Sequence, residues 1–173
     1  METAAMRRLQ ISHTLAVILF GIASASASGP QRTTAVFADW TVVCNFPTNK
    51  PKDCEILGIQ TLPGQNVPFG QIGVAHPEKA GDYKITVLTP PNVWLQTGTK
   101  LFPEDKGSIV ASFKWCSNTR CLAEAVLSKA ALKKMASRTQ PASFTFKDSA
   151  QNDVTVPVSL NGLDVALDTM DAP

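Results

Sequence analysis

Four cysteines are the residues of this chain whose spacing most clearly indicates chemistry. Cys44 and Cys54 bracket a polar stretch with two prolines, and Cys116 and Cys121 bracket the short stretch Ser-Asn-Thr-Arg. Each stretch is typical of a hairpin loop, and hairpin geometry brings the two ends within disulfide distance. Of the three pairings that four cysteines allow, the sequence therefore favours Cys44–Cys54 and Cys116–Cys121.

The same cysteines have two alternative roles, a zinc site and a redox centre. Zinc ligands usually come in tighter pairs and often include histidine. Redox motifs have two residues between the cysteines, whereas nine and four residues intervene here. Disulfides remain the favoured interpretation, because the N-terminal segment described below indicates an oxidising compartment. The sequence predicts no metal and no cofactor.

Three further side chains could take part in acid–base chemistry. His76 would be needed for a Ser-His-Asp or Cys-His nucleophile, but it lies in a predicted loop and the chain contains no Gly-x-Ser-x-Gly motif. Asp39 and Glu124 each lie within an apolar strand pattern, an environment that raises the pKa of a general acid. A glycosidase-like acidic pair is one hypothesis. Outward-facing carboxylates, or a hydrogen bond to a neighbouring loop, are the simpler interpretation.

Three tryptophans could contact a ligand or a partner, because tryptophan stacks on sugars and is frequent at protein interfaces. Trp40 shares a predicted strand face with Cys44 and is assigned to the core. Trp115 adjoins Cys116 and lies on the opposite face from that cysteine. Trp94 follows a Pro-Pro-Asn stretch that is typical of a sheet edge, so it is the candidate contact surface. No phosphate loop, calcium loop or nucleic-acid motif is present.

The first 27 residues have the pattern of a secretory signal peptide. Two arginines precede an apolar run from Leu9 to Ile22, and Ala-Ser-Ala at residues 25–27 supplies a cleavage site before Ser28. The alternative is an uncleaved anchor, for which the apolar run is short and rich in small residues. The sequence therefore predicts export to the periplasm or beyond.

The remaining residues, 28–173, are predicted to form a single domain. Removal of Arg7, Arg8 and Glu2 with the signal peptide changes the formal net charge from +2 to +1. This balance provides no electrostatic footprint for nucleic acid. No other stretch is long and apolar enough to cross a bilayer.

Short strands dominate the predicted secondary structure. Val36 to Cys44 alternates with strand period, and the polar stretch from Ser28 to Ala35 before it is predicted to lack structure. Turn signals recur about every ten residues, which is typical of an antiparallel sandwich or barrel. We expect a mostly β, antiparallel two-sheet sandwich with an immunoglobulin-like topology. One short helix is predicted near 129–137, with Ser128 as its N-cap.

The C-terminal part reads as a hairpin followed by a helical turn or two. Phe144 and Phe146 share one face of the first strand, and Val154, Val156 and Val158 alternate along the second. Pro157 places that second strand at an edge.

With these motifs in order, the chain resembles the invasion-associated locus B family of bacterial secreted proteins. The shared features are an Asp-Trp pair, Asp39-Trp40, before the first cysteine, the two cysteine pairs, and a closing Pro-x-Ser-Leu-x-Gly segment at 157–162. The resemblance covers roughly Phe37 to Leu167 and departs from the family pattern between Leu101 and Gly107. It implies a periplasmic or surface-associated β-sandwich named for a part in host-cell invasion, and it brings no catalytic residues.

Three functional hypotheses follow from the sequence. The favoured one is a non-enzymatic extracytoplasmic interaction protein whose partner is a protein or an envelope or host-surface component. The second is a small-ligand or carbohydrate-binding module that uses Trp94, and the third is a hydrolase with an acidic pair that includes Asp39 or Glu124. The sequence gives no indication of the oligomeric state.

Overall fold

Antiparallel strands make up most of the protein. The computed structural model describes residues 31–76, 82–102, 108–138 and 142–172; the predicted signal peptide and the turn at 103–107 lie outside them. Within these ranges there are ten strands, two α-helices and a short 3₁₀ helix at Leu95–Thr97. The strands are β1 (Arg32–Phe37), β2 (Trp40–Asn45), β3 (Asp53–Thr61), β4 (Pro68–Ala75), β5 (Asp82–Thr89), β6 (Thr99–Leu101), β7 (Ile109–Cys116), β8 (Cys121–Ser128), β9 (Ala142–Lys147) and β10 (Asp153–Val158), and the helices are α1 (Lys129–Ala136) and α2 (Leu163–Asp171).

The strands hydrogen-bond in the order β1-β2-β3-β4-β5-β8-β7-β6-β9-β10, and every neighbouring pair is antiparallel. Strand β7 joins two groups, because Ile109–Ala111 pairs with β6 whereas Ser112–Cys116 pairs with β8. The mostly β, antiparallel class predicted from the sequence is confirmed. A two-layer arrangement is compatible with this order, since β3 and β10 also contact each other. An immunoglobulin domain divides its strands between two sheets in a Greek-key order, which is not the order found here.

One face of the strands is apolar and, together with both helices, forms the core. Helix α1 begins at the predicted N-cap, where the Ser128 hydroxyl accepts a hydrogen bond from the Ala131 N–H (3.2 Å). The buried residues of α2 face β2 and β3. The largest fully buried side chains come from both strand groups and both helices: Trp40, Val42, Ile56, Val74, Tyr83, Val87, Leu101, Leu132, Phe144, Leu163, Leu167 and Met170.

The stretch predicted as one strand from Val36 to Cys44 is in fact a hairpin. The chain reverses at Ala38, whose φ is +48°, so β1 pairs with β2 through Phe37 and Trp40. Strand β1 also includes Arg32–Ala35, where the sequence prediction of no structure was wrong. The alternation of apolar residues continues through the turn, so the local pattern did not reveal the reversal.

Contacts from the segment after β10 hold this turn in place. The Ser159 hydroxyl donates to Asp39 Oδ2 (2.6 Å), and the Trp40 indole N–H donates to the Ser159 carbonyl oxygen (3.0 Å). The Asp39 N–H donates in turn to the Asn161 carbonyl oxygen (3.4 Å). We call these contacts the Asp39–Ser159 clasp. They join the beginning of β2, in one strand group, to the end of β10, in the other.

Two glycines leave room for the clasp. A Cβ on Gly58 would lie 2.8 Å from the Trp40 ring, so the buried indole requires a glycine opposite it. Gly162 has φ +87°, a conformation that other residues rarely adopt, and a Cβ there would overlap the Phe37 carbonyl. The closing segment can therefore approach the turn closely.

The two cysteine pairs are disulfides in the local connectivity favoured from the sequence. Cys44 and Cys54 face each other on β2 and β3, and Cys116 and Cys121 face each other on β7 and β8; the Cα–Cα distance is 4.0 Å in both pairs. No described cysteine is free. Each disulfide fixes the register of one hairpin.

A double-mutant cycle tests the clasp. We expect Asp39→Ala and Ser159→Ala each to lower the free energy of unfolding, and the pair to show a coupling energy of about 0.5–2 kcal/mol in urea titrations because the two side chains share one hydrogen bond. The control cycle combines Asp39→Ala with Lys134→Ala on the exposed side of α1, and its effects should add. Additive effects in the Asp39–Ser159 cycle would contradict the assignment.

Candidate functional site

A row of side chains crosses the outer face of the sheet, opposite the core. The register pairs Ile59 with Gln71, Gln71 with Leu88, Leu88 with Leu122, and Leu122 with Trp115. Directly paired residues of neighbouring strands point to the same face, so these five form one line from β3 to β7. We call it the cross-strand row.

Large apolar side chains on this face are exposed to solvent. Ile59 is 63% exposed and Trp115 is 49% exposed, although both belong to residue types that are usually buried. Val36 and Val126 are exposed on the same face. Both described helices contribute their buried residues to the core on the other side, so they leave this face uncovered. Several large apolar side chains exposed on one face are typical of an interaction site.

Two clefts lie along the row and share Ile59 and Gln71. The first has a volume of about 340 Å³ and extends towards the loop between β7 and β8; it is lined by Ile59, Pro68, Phe69, Gly70, Gln71, Leu88, Thr89, Pro90, Thr119 and Arg120. The second has a volume of about 520 Å³ and extends towards the clasp; it is lined by Ala38, Asp39, Thr41, Leu57, Ile59, Gln60, Thr61, Gln71, Pro157 and Ser159. Together they form one groove, which we call the cross-strand groove.

The two ends of the groove carry opposite charges. Asp39 lies at the clasp end, where one of its carboxylate oxygens accepts from Ser159. Arg120 lies at the other end, and no ion pair joins its guanidinium to any other described residue. Four strand spacings separate β2 from β8, which corresponds to roughly 19 Å.

Hydrogen bonds and a disulfide close the loop that carries Arg120. The Ser117 N–H donates to the Arg120 carbonyl oxygen (2.8 Å), and the Ser117 hydroxyl oxygen accepts from the N–H groups of Thr119 (3.2 Å) and Arg120 (3.3 Å). The Cys116–Cys121 disulfide closes the same loop. The disulfide and the turn therefore fix the backbone from which the guanidinium extends.

The structure does not bring Asp39 and Glu124 together. Glu124 lies on β8, where Lys84 Nζ is 4.0 Å from its Oε1. Asp39 precedes β2, four strands away, so the strands next to the two carboxyl groups are roughly 19 Å apart at the usual strand spacing. Glycosidase pairs lie about 5–9.5 Å apart. Asp39 instead makes the hydrogen bond to a neighbouring segment that was the simpler sequence interpretation.

His76 belongs to a polar cluster at the end of α2. Its Nε2 lies 3.1 Å from Asp171 Oδ1, and Lys129 Nζ lies 2.7 Å from the other oxygen of this carboxylate. The Tyr83 hydroxyl donates to Asp171 (2.7 Å). Asp171 is 12% exposed and ties α2 to β5 and α1. These contacts give His76 a structural role.

The cluster perturbs two ionisable groups. Burial, followed by the hydrogen bond to Asp171, raises the pKa of the Tyr83 hydroxyl well above its usual range. For the Asp171 carboxyl, burial acts to raise the pKa, but the hydrogen bonds from Lys129 and Tyr83 have the larger opposite effect. The pKa of Asp171 therefore lies below its usual value.

The three tryptophans have different environments. Trp40 is buried in the core, as the sequence predicts. Trp94 is half-buried; its backbone N–H donates to the Lys147 carbonyl oxygen (2.7 Å), and neither cleft of the groove includes it. Its role as a contact surface stays a prediction. Trp115 is the exposed one, and the sequence signal for it was its position on the opposite face from Cys116.

Neither a metal centre nor a membrane-spanning helix is found among the described residues. No group of three or more histidine, cysteine, aspartate or glutamate side chains there could hold a metal ion. In the same ranges no helix has the length and apolarity needed to cross a bilayer.

Comparison with known proteins identifies one family and one similar structure. Residues 40–171 match the family described as "Invasion associated locus B (IalB) protein", which confirms the resemblance drawn from the motifs. The crystal structure of invasion associated protein b from Bartonella henselae is similar with a TM-score of 0.67 and 19% sequence identity, over 80% of this chain and 94% of that chain. At this identity the likeness shows the fold alone. No curated protein matches the chain.

The Asp171 cluster predicts a pH dependence of stability. A depressed pKa in the folded state gives stability that is present above the unfolded value of about 4 and is lost as the pH falls through the folded pKa. Asp171→Asn should therefore lower the free energy of unfolding by about 1–3 kcal/mol at pH 7, and the gap to the unmodified protein should close below about pH 4. Urea titrations from pH 3 to 7 measure it, with Asp164→Asn as the exposed control. A gap that stays constant with pH would contradict the assignment.

Proposed function

Because the chain belongs to the invasion associated locus B family, we propose that it is an exported, non-enzymatic protein that binds a partner in the bacterial envelope or on a host surface. In this proposal residues 1–27 are a signal peptide and residues 28–173 are one disulfide-stapled domain. The partner is a protein or another component of the envelope or host surface.

Two features support export. The N-terminal segment combines two arginines, an apolar run and an Ala-Ser-Ala site before Ser28. Both described disulfides close short hairpins, and disulfides persist in oxidising compartments such as the periplasm and the cell surface. A cytoplasmic location would expose both bridges to reduction.

The exposed cross-strand row is the observation that carries the binding role. Ile59 and Trp115 lie at its two ends on a face that the described helices leave open. Tryptophan and arginine are frequent among residues that dominate binding energy, and Trp115 and Arg120 both lie beside the Cys116–Cys121 bridge. Because strands supply the row, it is already ordered, and little conformational entropy would be lost on binding.

A binding role without catalysis is also supported by where the acid–base residues lie. Asp39 and Glu124 occupy different ends of the outer face, and Glu124 lies beside Lys84. His76 contacts the carboxylate of Asp171, which is shared with Lys129 and Tyr83. Each group therefore has a structural explanation that involves no reacting molecule. The similar Bartonella structure is titled an invasion associated protein, which is the reason to include host surfaces among the partners.

The proposed export predicts the N-terminus and the thiol content of the isolated protein. We expect the protein recovered from the native bacterium to lie outside the cytoplasm, to begin at Ser28 because the signal peptidase cuts after the Ala-Ser-Ala site, and to have no free thiol because both bridges form there. N-terminal sequencing and thiol labelling before and after reduction measure this. A Cys44→Ser/Cys54→Ser variant, with one bridge intact, calibrates the labelling. Retention of residue 1 together with four free thiols would contradict export.

The binding half predicts where a partner touches the protein. A photo-crosslinking residue at Ile59, or separately at Trp115, should give discrete adducts in intact cells, because both side chains lie on the open outer face. The same residue at Lys134, on the exposed side of α1, is the matched control and should give none. Mass spectrometry identifies the adducts. Identical adducts at all three positions, or none at Ile59 and Trp115, would contradict a specific surface on this face.

A further inference from the structure

The cross-strand groove has an unusual polarity for a surface depression. Asp39 lines one end and Arg120 the other, and the strands next to them, β2 and β8, are roughly 19 Å apart by strand spacing. The walls between them include the apolar side chains of Leu57, Ile59 and Leu88. A ligand that matches this surface has a cation at one end, an anion at the other and an apolar part between them.

Gln60 is a buried residue that lines the second cleft, and its side chain has no protein partner. Gln60 is only 5% exposed, and no hydrogen bond joins its side chain to another described residue. No polar side-chain atom among the described residues is both sealed from solvent and unpaired, so the Gln60 amide reaches solvent. The space beside it is the second cleft of the groove. A primary amide has donors and an acceptor, and a buried one left without partners costs free energy.

Gln71 adds a second amide at the point where the two clefts meet. It lines both of them, and its side chain has no hydrogen bond to another described residue. Two amides, each able to donate and accept, match the alternating N–H and C=O groups of a peptide backbone. Ile59 and Leu88 lie beside them and can contact apolar side chains.

From these contacts we propose that the cross-strand groove binds an extended peptide of about six residues, the number that spans roughly 19 Å at 3.3 Å per residue. The carboxylate at or near its C-terminal end contacts Arg120, and a cationic group at its N-terminal end contacts Asp39. The amides of Gln60 and Gln71 bind its backbone, and Ile59 contacts its apolar side chains. Because the peptide runs across the strands and does not pair with one of them, the side chains of the groove recognise it. This inference deepens the proposed function and rests on it.

The test uses two pools of hexapeptides and the protein purified after export. The first pool has an N-terminal lysine, four positions drawn from valine, leucine, serine and threonine, and a free C-terminal carboxylate. The second has an N-acetylated glutamine first, the same four positions, and an amidated glutamine last, so it carries no charge. Binding is followed by NMR on ¹⁵N-labelled protein, where the side-chain amides of Gln60 and Gln71 and the Arg120 Nε–H are observed directly.

We expect the first pool to shift these three groups, and the second to bind about tenfold more weakly because neither of its ends can pair with the charge of Asp39 or Arg120. Arg120→Gln should weaken binding of the first pool about tenfold, since a charge-assisted hydrogen bond is lost. Arg120→Lys should lose less, because the positive charge remains. Arg32→Gln removes an exposed arginine from β1 as the matched control and should leave binding unchanged.

Several outcomes would overturn the peptide assignment. Equal binding of the two pools, shifts outside the groove, an unchanged affinity in Arg120→Gln, or no binding of either pool would each do so. Shifts of Gln60 and Gln71 with a glycan panel in place of peptides would assign the groove to carbohydrate. If crosslinks at Ile59 and Trp115 form in cells while the peptide pools fail, the proposed function stands and the peptide assignment falls.

Discussion

The hydrogen bond from the buried Trp40 indole to the Ser159 carbonyl connects the two strand groups of the sheet. Trp40 begins β2, near one edge of the strand order, and Ser159 follows β10 at the opposite edge. The indole fills core volume and uses its one donor in the same place, so packing and polarity fix a single position for it. Gly58 is a consequence, since any Cβ opposite the ring would force it out. The clasp therefore determines how the two ends of the sheet meet.

The disulfides act locally, within single hairpins of the sheet. Each one joins neighbouring strands that hydrogen bonds already pair, so neither connects the two strand groups. Their contribution is local register and a smaller set of unfolded conformations. The second bridge has a further consequence, because it closes the loop that carries Arg120 at one end of the groove. Closure of the fold depends on the clasp and the core, and the local precision of the surface depends on the bridges.

Sequence reasoning succeeded where the signal is local. Periodicity predicts the strand class, and the capping signal predicts helix α1 with its Ser128 N-cap. The edge position of Pro157 follows because proline has no backbone N–H to donate to a neighbouring strand. It failed at Ala38, because the turn there is held by Asn161 and Ser159, more than 100 residues away along the chain. The groove could not be predicted from the sequence either. Which residues align across five strands depends on the register of every hairpin between them, and one shifted register moves each side chain to the other face.

The residues that carried the family resemblance are also those that hold the fold together. Asp39 and Trp40 contact Ser159, and Gly162 allows the closing segment to pass beside the turn. A motif of this kind specifies how the chain closes, so a relative can keep the architecture without sharing a ligand. The groove is mostly built from other residues, such as Gln71 and Arg120, whose side chains have no hydrogen bond or ion pair to another described residue. The residues of the groove can therefore differ between relatives while the clasp stays the same, and the proposed partner is to be sought with the groove rather than with the motif.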